Sequence, residues 1–220
     1  MLIACWSVKG GSGTTVISAA LALSVAAAGH DALLIDMGGD LPAALGVAEP
    51  DGPGLADWLA AGPDVPRDAL SRLAVDAGPN LALLPMGRAI PDAPGRAEDL
   101  AALLGVDSRV VVADCGTLAS ESSLALATSA GLSLLVLRPC YLALRRALTA
   151  PVEASAVVLV GEPQRALQQR DVEDVLGLRV RAAIPWRPAI ATAVDAGLLG
   201  RRLPSALERG LRDLTATMAA

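Results

Sequence analysis

The chain has 220 residues, 53% of them apolar and only 2% aromatic with no Phe, so its core has to be built from Leu, Val, Ile and Ala. A formal charge of −5 argues against general nucleic-acid binding, although most of the acidic excess lies before Val110 and arginines collect after it. The run Val16 to Ala28 stops at Gly29-His30-Asp31, short of the roughly 18–20 apolar residues of a membrane span, and Lys9 with its glycines interrupts the first apolar stretch, so neither a span nor a signal peptide is predicted.

Leu2 to Trp6 reads as a buried strand, Ser7-Val8-Lys9-Gly10-Gly11-Ser12-Gly13-Thr14-Thr15 as a glycine loop, and Val16 to Ala28 as an alanine-rich helix. Glycines at 10, 11 and 13 let the backbone curl with its N–H groups inward, and the helix that follows aims its positive end at the same spot. That order of strand, loop and helix is an anion cradle, whereas a plain turn would need no such order. Lys9 is the only lysine in the chain. A compact ammonium on a flexible stem suits a crowded phosphate site better than a planar guanidinium.

Gly29-His30-Asp31 turns into a second strand, Ala32 to Ile35, and the lone His30 reads as a solvated turn residue. Asp36 closes that strand, and a short helix covers Leu41 to Leu45. A helix over Val65 to Leu73, a strand over Asn80 to Leu84, a loop over Pro85 to Arg96 and a helix over Ala97 to Leu104 follow. Arg109 to Ala113 is a buried strand closed by Asp114, with Gly116 behind it, and a helix over Leu118 to Ser129 comes next. Strands at Leu132 to Leu137, Ala156 to Val160 and Val180 to Ile184 alternate with helices at Leu142 to Thr149, Arg165 to Leu176 and Ala189 to Gly197. The final helix carries Leu207, Leu211, Leu214 and Met218 at spacings of three and four, a narrow stripe that predicts packing on the sheet in preference to a membrane surface.

This alternation predicts an α/β fold, a mostly parallel, doubly wound sheet of about seven strands flanked by helices. With no linker in view, residues 1–220 are expected to form one domain. Lys9, Asp36 and Asp114 all stand at carboxyl ends of strands and should meet in one crevice. Cys5, Cys115 and Cys140 lie far apart in apolar runs without metal spacing, which predicts a reducing, cytoplasmic setting.

Lys9 directly before Gly-Gly-x-Gly resembles the deviant phosphate loop, Lys-Gly-Gly-x-Gly-Lys-Thr, of the MinD/ParA family of dimerising ATPases. The resemblance implies ATP and Mg²⁺ as cofactors, bound by Lys9, Gly10, Gly11, Ser12, Gly13, Thr14 and Thr15. It makes Lys9 the signature lysine that reaches a phosphate across a homodimer interface and Thr15 a Mg²⁺ ligand. The chain departs at Thr14, where the family carries its in-loop lysine, so slow or absent hydrolysis is expected. Leu34 to Gly46 is similar to the family's switch I, whose Asp-x-Asp helps hold Mg²⁺ and the attacking water; Asp36 stands as its first Asp, a catalytic and Mg²⁺-holding residue by this resemblance, and Gly38 replaces its second. Two roles are open to Asp40: standing in for that missing carboxylate, or capping the helix Leu41 to Leu45. Asp114 stands at the Walker B position and is expected to hold Mg²⁺ through water; the alternative is a cap for the helix Leu118 to Ser129.

The segments Leu55-Ala56-Asp57-Trp58-Leu59 and Asn80 to Pro85 resemble the CpaE/TadZ branch, which helps position and assemble Tad (Flp) pili. A pilus or polarity partner is therefore expected, through which a cytoplasmic protein would reach the pole or, indirectly, the membrane. The family's adenine-reading Asn is absent after Val160, where Gly161-Glu162 stands, while Pro185 and Trp186 are candidates for a purine shelf, or for plain packing. Arg145 and Arg146 lie on a helix that the family places near its dimer face. Together with Arg201 and Arg202 they are the residues a ParA-like DNA contact would need. The competing readings are a nucleotide-independent scaffold and a ParA-like DNA-partitioning or septum-site protein.

Overall fold

The computed structural model describes residues 1–62, 65–89 and 96–218, with Arg67 described by its backbone alone. In chain order its elements are β1 (Leu2–Trp6), α1 (Thr14–Ala27), β2 (Ala32–Asp36), α2 (Leu41–Leu45), α3 (Leu55–Ala60), β3 (Val75–Gly78), β4 (Leu81–Leu84), α4 (Ala97–Gly105), β5 (Val110–Asp114), α5 (Glu121–Ser129), β6 (Leu132–Leu137), α6 (Tyr141–Ala147), β7 (Ala156–Val160), α7 (Gln169–Leu176), β8 (Val180–Ile184), α8 (Pro188–Asp195) and α9 (Ser205–Met218). Among the described residues eight strands form one sheet in the order β3-β4-β2-β5-β1-β6-β7-β8. All neighbours pair in parallel except β3, which runs antiparallel to β4.

Because helices cover both faces, strand residues are apolar on both sides and the runs read as continuous. Ile3, Cys5, Leu34, Val112, Leu134 and Val158 point into one core with α1 and α9. Ala4, Trp6, Leu33, Ile35, Val111 and Leu135 point into the other, beneath α3, α4 and α5. Trp6, the bulkiest fully buried side chain, donates its indole N–H to the Ser133 hydroxyl at 2.9 Å, so its one polar atom is satisfied. The stripe of α9 is turned wholly inward: Leu207, Leu211, Leu214 and Met218 are buried against α1 and β8. Each such side chain contributes roughly 1.5–3 kcal/mol, which binds α9 to the sheet.

The mostly parallel, doubly wound sheet is as expected; among the described residues it has eight strands where about seven were expected, the added one being β3, which pairs on one side only and whose apolar signal Asp76 and Gly78 dilute. One expectation is corrected. The helix expected over Val65 to Leu73 is instead two single 3₁₀ turns, Arg67–Ala69 and Ser71–Leu73. Pro66 biases Val65 away from the helical region, and each turn closes with an i→i+3 bond, from the Ala69 N–H to the Pro66 carbonyl at 3.0 Å and from the Leu73 N–H to the Leu70 carbonyl at 3.2 Å. Much of the loop expected over Pro85 to Arg96 lies outside the described residues. No helix among the described residues is long and apolar enough to cross a membrane.

Candidate functional site

The glycine loop leaves the carboxyl end of β1 in the middle of the sheet and runs into α1. Gly11 (φ +74°) and Gly13 (φ +95°) take left-handed conformations that a side chain would strain. Nothing lies within 4 Å of where a Cβ at Gly10 or Gly11 would project, so the mouth of the loop is open. Gly13 is the N-cap of α1 and offers no side-chain acceptor, which leaves the first N–H groups of a 14-residue helix for a ligand. Two hydroxyls brace the loop from within: Ser12 and Ser7 both donate to the Lys9 carbonyl, at 2.7 and 3.1 Å. The Ser7 N–H donates to the Gly116 carbonyl at 2.8 Å, tying the loop to the exit of β5.

Lys9 is exposed at the rim, and Thr14 is buried at the first turn of α1. The Lys9 ammonium acts on Glu162, in the turn after β7, whose carboxyl is held below its ordinary range first by the Arg165 guanidinium and then by Arg138 and Lys9. Arg146 of α6 donates to the Val8 carbonyl at 3.4 Å, so α6 stands beside the loop.

Register places the carboxylates. Asp36 is opposite Asp114 in the β2–β5 pair, and Asp114 is opposite Cys5 in the β5–β1 pair. Both carboxylates are buried. Burial pushes Asp114 up to about 6, opposed by the Thr15 hydroxyl and the Gly116 N–H, and raised further by Asp36 and Asp40. Burial also raises Asp36, against the pull of three backbone N–H groups. Those are Gly38 and Gly39, which donate to Oδ1 at 3.0 and 2.7 Å, and Leu41, which donates to Oδ2 at 3.3 Å. No described lysine or arginine forms an ion pair with either carboxylate.

A cation fits this donor set. No described group of three or more His, Cys, Asp and Glu side chains is placed to hold a metal by itself. Magnesium keeps several waters and takes one or two protein oxygens beside phosphate, so the Thr15 hydroxyl and Asp114, with Asp36 opposite it in register, would suffice to hold one.

The structure separates the alternatives left open by the sequence. Asp40 occupies the N-cap position of α2 but makes no side-chain cap bond, and the N–H of Leu41 goes to Asp36 instead. Asp40 is thus exposed beside the site and does not cap. Asp114 does not cap either, because α5 starts later than expected and Ser120 accepts the Ser123 N–H at 3.2 Å. Pro185 and Trp186 follow β8 and are both exposed, with the Gly161 N–H donating to the Ile184 carbonyl at 2.7 Å just before them. Trp186 is 51% exposed, which leaves both of its readings, shelf and packing, open. The four arginines of the expected DNA contact divide: Arg145 and Arg146 ride on α6, while Arg201 and Arg202 line a cavity that includes neither of them. Sequence reasoning missed the bracing hydroxyls of Ser7 and Ser12 and the pair Glu162–Arg165, at 2.8 Å. The opposite charges three apart at Glu162 and Arg165 were a readable signal, whereas no spacing marks the two hydroxyls. Cys5 and Cys115 are free and buried, and burial pushes the Cys5 thiol up to about 12.

The family model for the CobQ/CobB/MinD/ParA nucleotide binding domain matches residues 3–199. No curated protein matches the sequence. A ParA family ATPase from Chlorobium tepidum TLS superposes with a TM-score of 0.81 at 20% identity, over 98% of this chain and 97% of that one. The septum site-determining protein MinD from Pyrococcus horikoshii OT3, complexed with Mg-ADP, gives 0.80 at 20% identity over 98% and 94%. A McdA variant from Cyanothece in complex with ATP gives 0.70 at 18% identity over 97% and 96%. At such identities the superpositions speak for the fold, and the family match covers most of the sequence. The chain belongs to the CobQ/CobB/MinD/ParA nucleotide-binding family.

Proposed function

We propose that the protein is an ATP- and Mg²⁺-dependent switch, a single domain over residues 1–220, that dimerises around its nucleotide and positions or assembles a cellular structure. The structure in question is the Tad/Flp pilus machinery, as the resemblance to the CpaE/TadZ branch suggests. The protein works in the cytoplasm and reaches the pole or membrane through its partner. The observation that carries this reading is the row of β1, β5 and β2 ends, which sets an open glycine loop, Asp114 and Asp36 side by side.

In this reading Lys9, Gly10, Gly11, Ser12, Gly13 and Thr14 cradle the phosphates. Thr15 holds Mg²⁺ with Asp114 behind it, and Asp36 fixes the switch loop. Lys9 bridges to the partner's phosphate, which its exposure at the rim supports. Tyr141, Leu142 and Leu148 expose apolar surface on and beside α6, next to the loop, as a dimer face would. Trp186 and Pro185 form the base shelf.

Hydrolysis is slow or absent for two reasons. Thr14 brings no charge to the transferring phosphoryl group. Asp36, the expected switch carboxylate, already accepts three backbone N–H groups, leaving only exposed Asp40 nearby to orient water. Calorimetric titration with ATP and Mg²⁺, followed by sedimentation, tests the switch. Saturable heat and a monomer-to-dimer shift are expected, the shift being lost in Lys9→Ala. A turnover equal to that of ordinary family ATPases, abolished by Asp36→Ala, would sink the slow-hydrolysis part.

The second reading is a scaffold that dimerises without nucleotide. It is favoured by Glu162, which sits where an adenine-reading amide would stand and is held by Arg165. Dimerisation with no heat from ATP would decide for it.

A further inference from the structure

We propose that the cavity between α1, α8 and α9 is a docking groove for an acidic, amphipathic helix of a partner protein. The cavity has a volume of about 1250 Å³. Its apolar lining includes Leu23 and Ala27 of α1, Ile190 and Ala193 of α8, and Leu203 ahead of α9. Five arginines line it as well: Arg187, Arg201, Arg202, Arg209 and Arg212. Glu208 is the one carboxylate among the lining residues. Among the described residues none of these guanidinium groups forms an ion pair. In a chain of net charge −5, five arginines against one carboxylate around one hollow form a local field of opposite sign to the whole.

Charge complementarity requires an anionic occupant, and the lining selects among anionic occupants. A DNA duplex presents phosphates on a convex surface and has no apolar face to put against Leu23, Ile190 and Leu203. An anionic bilayer needs an apolar helix face turned outward, and the stripe of α9 is spent on the core. A helix with carboxylates flanking an apolar stripe satisfies both features, its i, i+3/i+4 and i+7 anchors entering the hollow and its acids meeting the arginines. The groove shares no residue with the glycine loop, so this inference stands apart from the nucleotide reading.

The test uses the full chain without nucleotide. A fluorescent, helix-forming peptide with Leu at i, i+3/i+4 and i+7 and Glu on both flanks is titrated and read by anisotropy. Controls are the same peptide with Lys for Glu, a DNA duplex, and phosphatidylglycerol vesicles. The acidic peptide is expected to bind saturably and the lysine peptide not to bind. Arg201→Glu with Arg202→Glu should weaken binding about tenfold or more, and so should Ala193→Trp, which fills the hollow and leaves every charge in place. Circular dichroism checks that each variant is folded. No saturable binding, equal binding of the lysine peptide, or insensitivity to both sets of substitutions overturns the proposal. So does binding of DNA or vesicles, in place of the peptide, that the arginine reversals abolish. Nucleotide calorimetry on the same variants should be unchanged, so a failure here is distinct from a failure at the glycine loop.

Discussion

Asp114→Asn should make the ligand-free protein more stable at neutral pH. The unfolded carboxyl titrates at its ordinary 3.8, and the folded one is pushed up to about 6. Between those values the native state holds more protons than the unfolded chain, so stability falls as pH rises through the window and levels off above it. A rise from 3.8 to about 6 corresponds to about 3 kcal/mol. Asp36, opposite in register and raised for the same reason, acts with the same sign. Asparagine keeps the shape and the contact with the Gly116 N–H, and it removes both the ionisation and the repulsion from Asp36. The measurement is urea unfolding at closely spaced pH values from 4.5 to 7.5. Wild type should lose stability across that range, and the variant should show a flatter profile and gain up to about 3 kcal/mol at pH 7. A wild type as stable at pH 7 as at pH 5, or a variant with an unchanged slope, refutes the reasoning.

Three further outcomes are expected. Thr14→Lys should raise ATP turnover about tenfold or more, since a charge-assisted contact contributes roughly 1.5–3 kcal/mol; unchanged turnover would show that Thr14 does not limit the reaction. Gly46→Ala should cost roughly 3 kcal/mol or more in a thermal melt. At φ +73° its Cβ would project 1.7 Å from the Gly197 carbonyl oxygen, whereas Gly29→Ala, at φ +89° but in open space, should cost only about 1 kcal/mol. Arg96→Met should cost roughly 2–4 kcal/mol in urea. The buried guanidinium donates to the carbonyls of Trp58 and Gly62, both at 2.8 Å, and lies 3.5 Å from the Trp58 ring centroid. A loss below about 1 kcal/mol would show that Trp58 keeps its place without it.

The central strands were legible because parallel pairing buries both their faces and leaves unbroken apolar runs, as at Val110 to Ala113 and Leu132 to Leu137. Edge strand β3 was not, since Val75-Asp76-Ala77-Gly78 has one ladder partner and little apolar demand. The meeting of Asp36 and Asp114 followed from strand ends alone. What each carboxylate does there did not, because hydrogen bonds depend on where the chain turns after the strand. Asp40 holds the cap position by sequence, yet Asp36 takes the helix N–H by geometry. The arginine groove was illegible for a related reason: Arg187, Arg202 and Arg212 come from separate segments that converge only once α9 has packed on α1.

The lone lysine has a chemical consequence. Apart from the amino terminus, the chain holds a single primary amine, and the fold sets it exposed on the lip of the glycine loop. Every reagent or enzyme that acylates, alkylates or conjugates side-chain amines therefore has one address here. Such a mark would neutralise or block that lip and leave the rest of the surface untouched.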